Sequence, residues 1–535
     1  MKKLKLSLIA IVLLQISFYS PDRDVSIRAD ATISLGELEP FWASQIIHAT
    51  EFLPTQWGRN YVQTLQETGA AQQFIRIYNQ PENAIWVDED GKIFYDWSHF
   101  DEMADIILPT GNKLKVVFFA MPPEIAAYPG SGRRRPYGAV VCTSPPRNYG
   151  QWEDLVRDFM KHVTERYGID EVKQWHFRCW NEPDLGGFWY QADLNEYLKL
   201  YDHFAKAARE VNPEIRIGGP GLSSTKTYRE PENFRFFLDH VVNGKNHATG
   251  ETGSPIDFLS IQTYGGAGAR GGPGREFPEV DYIMDNQLRL ADIRDEYPTL
   301  QDLPIYVDEW GVSASGTRGV DSEPMADVRN SQYAAAFLTT LVERHIKVRQ
   351  ENDRNIGTFV YCAMNDALPE HDFMGHRKLI SKHGFHKPVL NAYKLLYKLA
   401  PEIVQVHTKT NPHVTAFATR DGDRITIVVT NFQNDQVYND GLSYPVTLNI
   451  KTSWKPESQV TLKHWRIDEE HSNSYTAFKE LGSPGLPNPL EVDAIKNRMD
   501  LELLESPKQL KREDLNNIKF DLPCNAVSLI EIIRD

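Results

Sequence analysis

Only four cysteines occur in 535 residues, Cys142, Cys179, Cys362 and Cys524, and no two of them form a CxxC pair. That scarcity excludes a disulfide-dense scaffold and a zinc ribbon, which need closely spaced thiols. Cys179 and Cys362 fall in apolar strand-like runs, where a thiol packs as a small hydrophobe. Positive charge is also in deficit. Lys and Arg number 58 against 73 Asp and Glu, a formal net charge of -15, so no nucleic acid is expected as partner. Internal repeats and low-complexity tracts are missing. Beyond the first twenty residues no stretch is apolar enough to span a bilayer. The glycine-rich segment Gly265 to Gly274 lacks the Lys-Ser/Thr that completes a phosphate loop and reads as a loop on the active face. His371, His376, His383 and His386 match no zinc spacing. Neither a metal nor a cofactor is expected.

What is present is the composition of an ordinary globular protein, 41% hydrophobic and 24% charged, in a chain too long for one compact domain. Lys2, Lys3 and Lys5 precede an apolar run from Leu6 to Phe18, the pattern of a secretory signal peptide. Residues 1–22 are therefore expected to direct the protein to a secreted or periplasmic location.

From residue 39 to residue 401, apolar strands alternate with amphipathic helices. The strands are expected to end near Gln45, Ile77, Ala120, Trp180, Gly218, Thr263, Glu309 and Cys362. Eight such units predict an α/β fold, a (β/α)8 TIM barrel. Trp152, Leu155, Val156, Phe159, Met160 and Val163 make one helical stripe; Leu194, Tyr197, Leu198, Tyr201, Ala205 and Ala208 make another. After Pro401 the texture changes. Val414 to Arg420 and Arg424 to Asn431 flank an Asp-Gly turn and predict a β-hairpin. Residues 402–535 are expected to form a C-terminal β-sandwich, with residues 23–38 as a strand packed on it.

Two glutamates carry the chemistry. Glu182 follows a strand in WHFRCWNEPD, and Pro183 cannot continue a central strand, so Glu182 belongs at the carboxyl lip where barrel enzymes place their active sites. Glu309 closes the strand IYVDE. Alternation sends only one of Asp308 and Glu309 into the barrel mouth. A pair of carboxyls suits glycosidic cleavage: one protonates the departing oxygen, the other attacks the anomeric carbon. Either glutamate alone is more often a salt-bridge residue. Their matching positions at strand ends favour the catalytic meaning.

At these motifs the sequence resembles retaining glycoside hydrolases of clan A, and most of all family 39, the β-xylosidases and α-L-iduronidases. The resemblance rests on WNEPD, VNPEIRIGGPG, DFLSIQTY, YVDEWG, KLISKHGFHKPVLNAYKLLYKL and, in the tail, WRIDEEHSNSYTAFKELGSPGLP. It implies Glu182 as acid/base, Glu309 as nucleophile and Asn181 as a ligand of the sugar 2-hydroxyl. Arg76, Tyr78, Gln262, Tyr264, Trp189, Trp310 and Glu370 complete the expected substrate-binding set. Three positions depart from the family. Tyr78 and Gln262 stand where it usually has histidine, and Cys362 stands where a tryptophan is common. The sugar pocket is thus expected to be rebuilt.

The resulting expectation is a retaining exo-type glycosidase, β-xylosidase-like with altered sugar specificity, acting on an oligosaccharide or polysaccharide. An endo-acting clan relative on an anionic polysaccharide and a catalytically silent sugar-binding protein fit the same residues. Arg133, Arg134 and Arg135, in the loop after the third strand, could pair an acidic or sulfated sugar; a solvated charge run is the commoner meaning.

Overall fold

The computed structural model describes residues 23–535 except 49–51, 80, 82–83, 135–139, 267–276, 315, 317, 353–355, 364–370, 409–410 and 438–439. The expected signal peptide, Arg135, Glu370 and most of the glycine-rich segment lie outside the described residues. Gly132–Arg134 is a short strand paired with Val140–Cys142.

The first strand, β1 (Val25–Glu37), belongs to the second unit. The barrel strands are β2 (Ser44–Ile46), β3 (Phe74–Tyr78), β4 (Lys113–Phe118), β5 (His176–Cys179), β6 (Arg216–Leu222), β7 (Phe258–Gln262), β8 (Ile305–Trp310) and β9 (Ile356–Tyr361). A helix follows each: α1 (Gln56–Glu67), α2 (Ser98–Ile107), α3 (Tyr149–Tyr167), α4 (Leu194–Val211), α5 (Glu232–Asn243), α6 (Val280–Asp295), α7 (Gln332–Asn352) and α8 (Pro388–Tyr397). The eight strands close in chain order, all parallel, with β9 against β2. Every residue of the stripe expected on α3 is buried, as Trp152, Leu155 and Phe159 are driven off water against the sheet. The strand β6 runs four residues past the Gly218 expected as its end. The glycines there are packing residues: a Cβ on Gly218 would stand 2.4 Å from the Phe258 carbonyl oxygen, so only glycine lets β6 and β7 approach.

The barrel interior is layered by the period-two alternation of strands. The floor is aromatic. The His176 ring lies 4.7 Å from Phe74, 4.8 Å from Phe258 and 4.8 Å from Tyr306. Two residues further along the same strands stand Arg76, Arg178, Ser260 and Asp308, all buried. The next step reaches the lip.

The second unit is one mixed sheet of ten described strands. After β9 come β10 (Glu402–Thr408), β11 (Val414–Asp421), β12 (Arg424–Asn431), β13 (Tyr444–Lys451), β14 (Gln459–Ile467), β15 (Glu502–Leu503), β16 (Lys508–Lys511), β17 (Ile518–Leu522) and β18 (Val527–Arg534). The path runs β15-β14-β18-β12-β11-β10-β1-β13-β17, with β16 on β14. Val446 and Leu522 from one end share an apolar cluster with Val460 and Leu462 from the other, which makes the curled sheet a sandwich. β1 pairs antiparallel with β10 and parallel with β13. Residues 474–496 return to the barrel, where Tyr475, Phe478 and Ile495 pack on Phe373 and Phe385.

Candidate active site

Glu309 stands near the lip end of β8, and both of its oxygens are engaged. Arg76 Nη1 donates to Oε1 at 2.7 Å, and the Tyr264 hydroxyl donates to Oε2 at 2.7 Å. Burial alone would push this carboxyl up. The Arg76 charge, His48 and the two hydrogen bonds overcome it and hold the pKa at about 2. The group is therefore ionised near neutral pH. The Cys362 thiol lies 3.7 Å from Oε2 and 3.0 Å from His48 Nε2. Cys362, which the resemblance puts in the sugar pocket, thus sits against the nucleophile candidate, because β9 ends one residue earlier and its next side chain turns inward.

One guanidinium joins the two glutamate-bearing segments. Arg76 Nη2 donates to Asn181 Oδ1 at 2.8 Å and to the Tyr78 hydroxyl at 3.1 Å, while Nη1 also reaches the Asp308 carbonyl at 2.9 Å. Asn181 Oδ1 accepts two further donors, Arg178 Nη2 at 2.6 Å and Gln262 Nε2 at 2.8 Å. Three donors on one oxygen fix which way the amide faces, so its NH2, which has no partner among the described residues, is placed to donate to a ligand hydroxyl. Gln262 Oε1 is buried with no partner among the described residues, an acceptor held without a donor.

Glu182 is half-buried, three residues beyond β5, with its N–H donating to the Gly221 carbonyl at 3.0 Å. Its φ of 49° and the 63° of Trp180 place two bulky residues in the left-handed region. Such conformations cost on the order of 1–3 kcal/mol each and persist where surrounding bonds over-determine them. Here the Trp180 N–H donates to the Phe118 carbonyl and its indole N–H to the Phe188 carbonyl, while Asn181 is held by three donors.

Both Asp308 and Glu309 reach the interior, against the alternation rule. The ladder slips beside them: β7 pairs Ile261 with Val307 but Gln262 with Glu309, and β9 slips between Val307 and Trp310. An irregularity of this kind re-aims a side chain. Asp308 accepts from Lys115 Nζ at 2.9 Å, Ser260 Oγ at 2.8 Å and Arg178 Nη1 at 3.3 Å. Its burial is opposed by Lys115, Arg178 and Arg76, which hold the carboxyl well below its usual range. Three buried cations thus face two buried carboxylates, and the surplus positive charge favours an ionised Glu309. Lys115 and Arg178 were not expected at the site. Charged residues spaced two apart from apolar ones in KLKVVFF and HFRC were the available signal.

Two expected stacking residues are placed elsewhere. Trp189 is fully buried with its indole N–H bonded to the Asp193 carbonyl at 2.8 Å, and Trp310 packs edge to face on Tyr361 at 5.0 Å. Both fill space behind the lip, because a large ring at a strand or loop end is worth most when its whole area leaves water. Of the four histidines, His371 Nδ1 lies 2.6 Å from the Gly485 carbonyl, His383 pairs with Asp372 and His386 with Asp500. A different trio, Asp202, His240 and His247, has metal-ligand spacing, but it lies on α4, α5 and the loop before β7, and Asp202 accepts from Ser254 and the His247 N–H.

A buried, ionised carboxylate at the lip of a closed eight-stranded barrel lies one guanidinium away from an Asn-Glu pair in the loop after β5, an arrangement suited to anomeric chemistry. The model for glycosyl hydrolases family 39 matches residues 25–510. The chain belongs to that family. This family 39 protein is a glycoside hydrolase, and carbohydrate is its substrate. It is 27% identical over 531 residues to a β-xylosidase of Caldicellulosiruptor saccharolyticus, covering 93% of this chain and 96% of that one. An α-L-iduronidase of Mus musculus is 23% identical over 95% of this chain and 80% of its own. The crystal structure of a monomeric β-xylosidase from Caulobacter crescentus CB15 superposes with a TM-score of 0.78 at 25% identity, over 95% of this chain and 99% of the other. Barrel and sandwich are thus shared across the family 39 relatives. No helix among the described residues is long and apolar enough to cross a membrane.

Arg76 is the residue whose charge decides the state of Glu309. In Arg76→Met the largest influence opposing burial is lost, leaving His48 and the Tyr264 hydrogen bond, and the Glu309 pKa rises from about 2 toward its ordinary range. A nucleophilic carboxylate acts only when ionised, so activity is lost as pH falls through its pKa in the free enzyme. The acid limb of kcat/KM against pH should therefore move upward relative to wild type. Arg76→Lys keeps the charge but cannot bridge Glu309 and Asn181, so it should lose activity by roughly 10²-fold with little movement of that limb. An acid limb that stays put in the Met variant, with the fold intact by circular dichroism, would disprove the assignment.

Proposed function

We propose that the protein is a retaining exo-glycosidase working by double displacement, with Glu309 as nucleophile and Glu182 as acid/base. The observation that carries this reading is the ionised Glu309, gripped on both oxygens by Arg76 and Tyr264. In the first step a Glu309 oxygen bonds to the anomeric carbon as the glycosidic bond breaks, and the Glu182 proton goes to the departing oxygen. In the second, water attacks the anomeric carbon, gives its proton to Glu182 and releases Glu309. The mechanism requires the two carboxyls about 5–5.5 Å apart. Asn181 NH2 is the donor for the 2-hydroxyl, a bond that strengthens as positive charge develops in the ring. The basic and apolar N-terminus supports action outside the cytoplasm.

Tyr78, Gln262, His48 and Cys362, tied to Arg76, Asn181 and Glu309, are the side chains that would meet the sugar in the leading subsite. One observation favours an acidic sugar. Arg377 is buried, lies with its guanidinium 4.5 Å from the Tyr264 ring centroid, and its Nε and Nη1 have no hydrogen-bond partner among the described residues. A buried cation beside the nucleophile's own ligand is suited to a carboxylate on the substrate, and iduronic acid, the sugar in the name of several relatives, carries one.

Two measurements test this. Proton NMR of the first-formed product should show the anomer of the substrate; inversion would refute double displacement. On a panel of neutral and uronic aryl glycosides, Arg377→Met should cost the uronic substrates about 10²-fold in kcat/KM and spare the neutral ones. Equal losses on both classes would leave Arg377 a packing residue and return the reading to a neutral sugar.

A further inference from the structure

We propose that Tyr128 and Tyr190 form a platform that binds the leaving part of the substrate, a sugar or aryl aglycone, by stacking. This rests on Glu182 as the acid. The proton passes to the glycosidic oxygen, so the departing group is bonded to the very atom that Glu182 addresses. It must lie on the side of the lip that carries the Glu182 loop.

That loop is short and folded back on itself. The Leu185 N–H donates to the Glu182 carbonyl at 3.1 Å and the Trp189 N–H to the Leu185 carbonyl at 2.9 Å. Trp180 and Trp189 meet edge to face at 4.9 Å and pin its base. The next residue, Tyr190, is tied to the neighbouring loop after β4: its N–H donates to the Thr143 carbonyl at 2.9 Å. Its ring stacks on Tyr128, centroids 4.5 Å apart at 21°. Tyr128 is in turn anchored through its N–H, which donates to Ser144 Oγ at 2.8 Å.

The pair thus bridges the loops that follow β4 and β5, and Tyr128 remains 50% exposed. One face of that ring is covered by Tyr190, so the exposed area is the other face and the edge. An aromatic face held rigid by a second ring and two backbone bonds loses little freedom on binding. The C–H face of a pyranose, or a flat aryl group, is its chemical complement. Trp189, expected to stack on sugar, instead packs on Trp180 at the base of this loop.

The test uses the timing of the reaction. The aglycone is present only until the covalent intermediate forms, so the platform acts on kcat/KM for substrates that have an aglycone and on nothing afterwards. With the glycone selected by the panel, Tyr128→Ala is compared with wild type on a glycosyl fluoride, which has no aglycone, and on a disaccharide. We expect about a tenfold loss of kcat/KM on the disaccharide and none on the fluoride. Tyr128→Phe, which keeps the ring, should match wild type on both. Equal losses on fluoride and disaccharide, no loss on either, or a Phe variant as impaired as Ala would each overturn the platform. Failure of the wild type to hydrolyse either substrate with retention would instead overturn the reaction on which it rests, before any variant is compared.

Discussion

Glu309→Gln should lower kcat/KM by about five orders of magnitude, the scale of loss on removing a nucleophile. Glutamine keeps the volume but has neither charge nor a lone pair basic enough to attack. Its amide can still accept from Arg76 but must turn an NH2 toward the Tyr264 hydroxyl, and it leaves Arg76, Lys115 and Arg178 balanced by Asp308 alone. Thermal unfolding is therefore expected to fall by about 2–4 °C, enough to detect and too little to explain the kinetics. Glu309→Ala makes room for a small external nucleophile. With azide it should regain activity and yield a glycosyl azide of inverted configuration, because one displacement now occurs where two did before. A variant with normal turnover would put the active site elsewhere in the barrel.

The second large effect is at Glu182, and it depends on the substrate. Glu182→Ala removes the proton donor, worth about 10²–10⁴-fold. That loss should appear in full for a disaccharide, whose alkoxide is a poor leaving group, and nearly vanish for the first step with a dinitrophenyl glycoside, which departs unassisted. With the activated substrate the covalent intermediate should accumulate, since no base activates water. Azide, needing no base, should release it as a glycosyl azide with the configuration of the substrate. Opposite anomers from the two rescued variants would assign nucleophile and acid/base independently. The same anomer from both would contradict the division of roles. The loop itself should survive the change, because Glu182 is held through its backbone N–H to Gly221 rather than through its side chain alone.

The barrel was readable from alternation because burial on two faces leaves a strand little choice but an apolar run. The hairpin of β11 and β12 was equally plain, with Asp421 opposite Arg424 across a tight turn. The end of β6 was misplaced because Gly218 and Gly219 look like a loop, whereas they mark where β7 and the rings of α4 and α5 press closest. The stacking role expected of Trp189 and Trp310 failed for a related reason: composition shows that a ring is present, not which of its faces meets water. The site was readable only in part. Glu182, Glu309, Asn181, Arg76, Tyr78, Gln262 and Tyr264 stand at strand ends, and position along a strand is a local property. His48, Arg377 and the placement of Cys362 against Glu309 come from segments far apart in the chain, and no local pattern reports them.

By itself, then, the order of residues determined that two glutamates close parallel strands and that a β-rich unit follows, since hydrophobic period and turn chemistry act over a few neighbours. The tertiary structure alone decided which charge neutralises which. That Arg76 reaches both Asn181 and Glu309, that Asp308 turns inward beside its neighbour, and that Tyr128 rests on Tyr190 all follow from ring closure and a slipped ladder. Electrostatic energy depends on distance through space, and the fold brings together charges that lie more than two hundred residues apart along the chain.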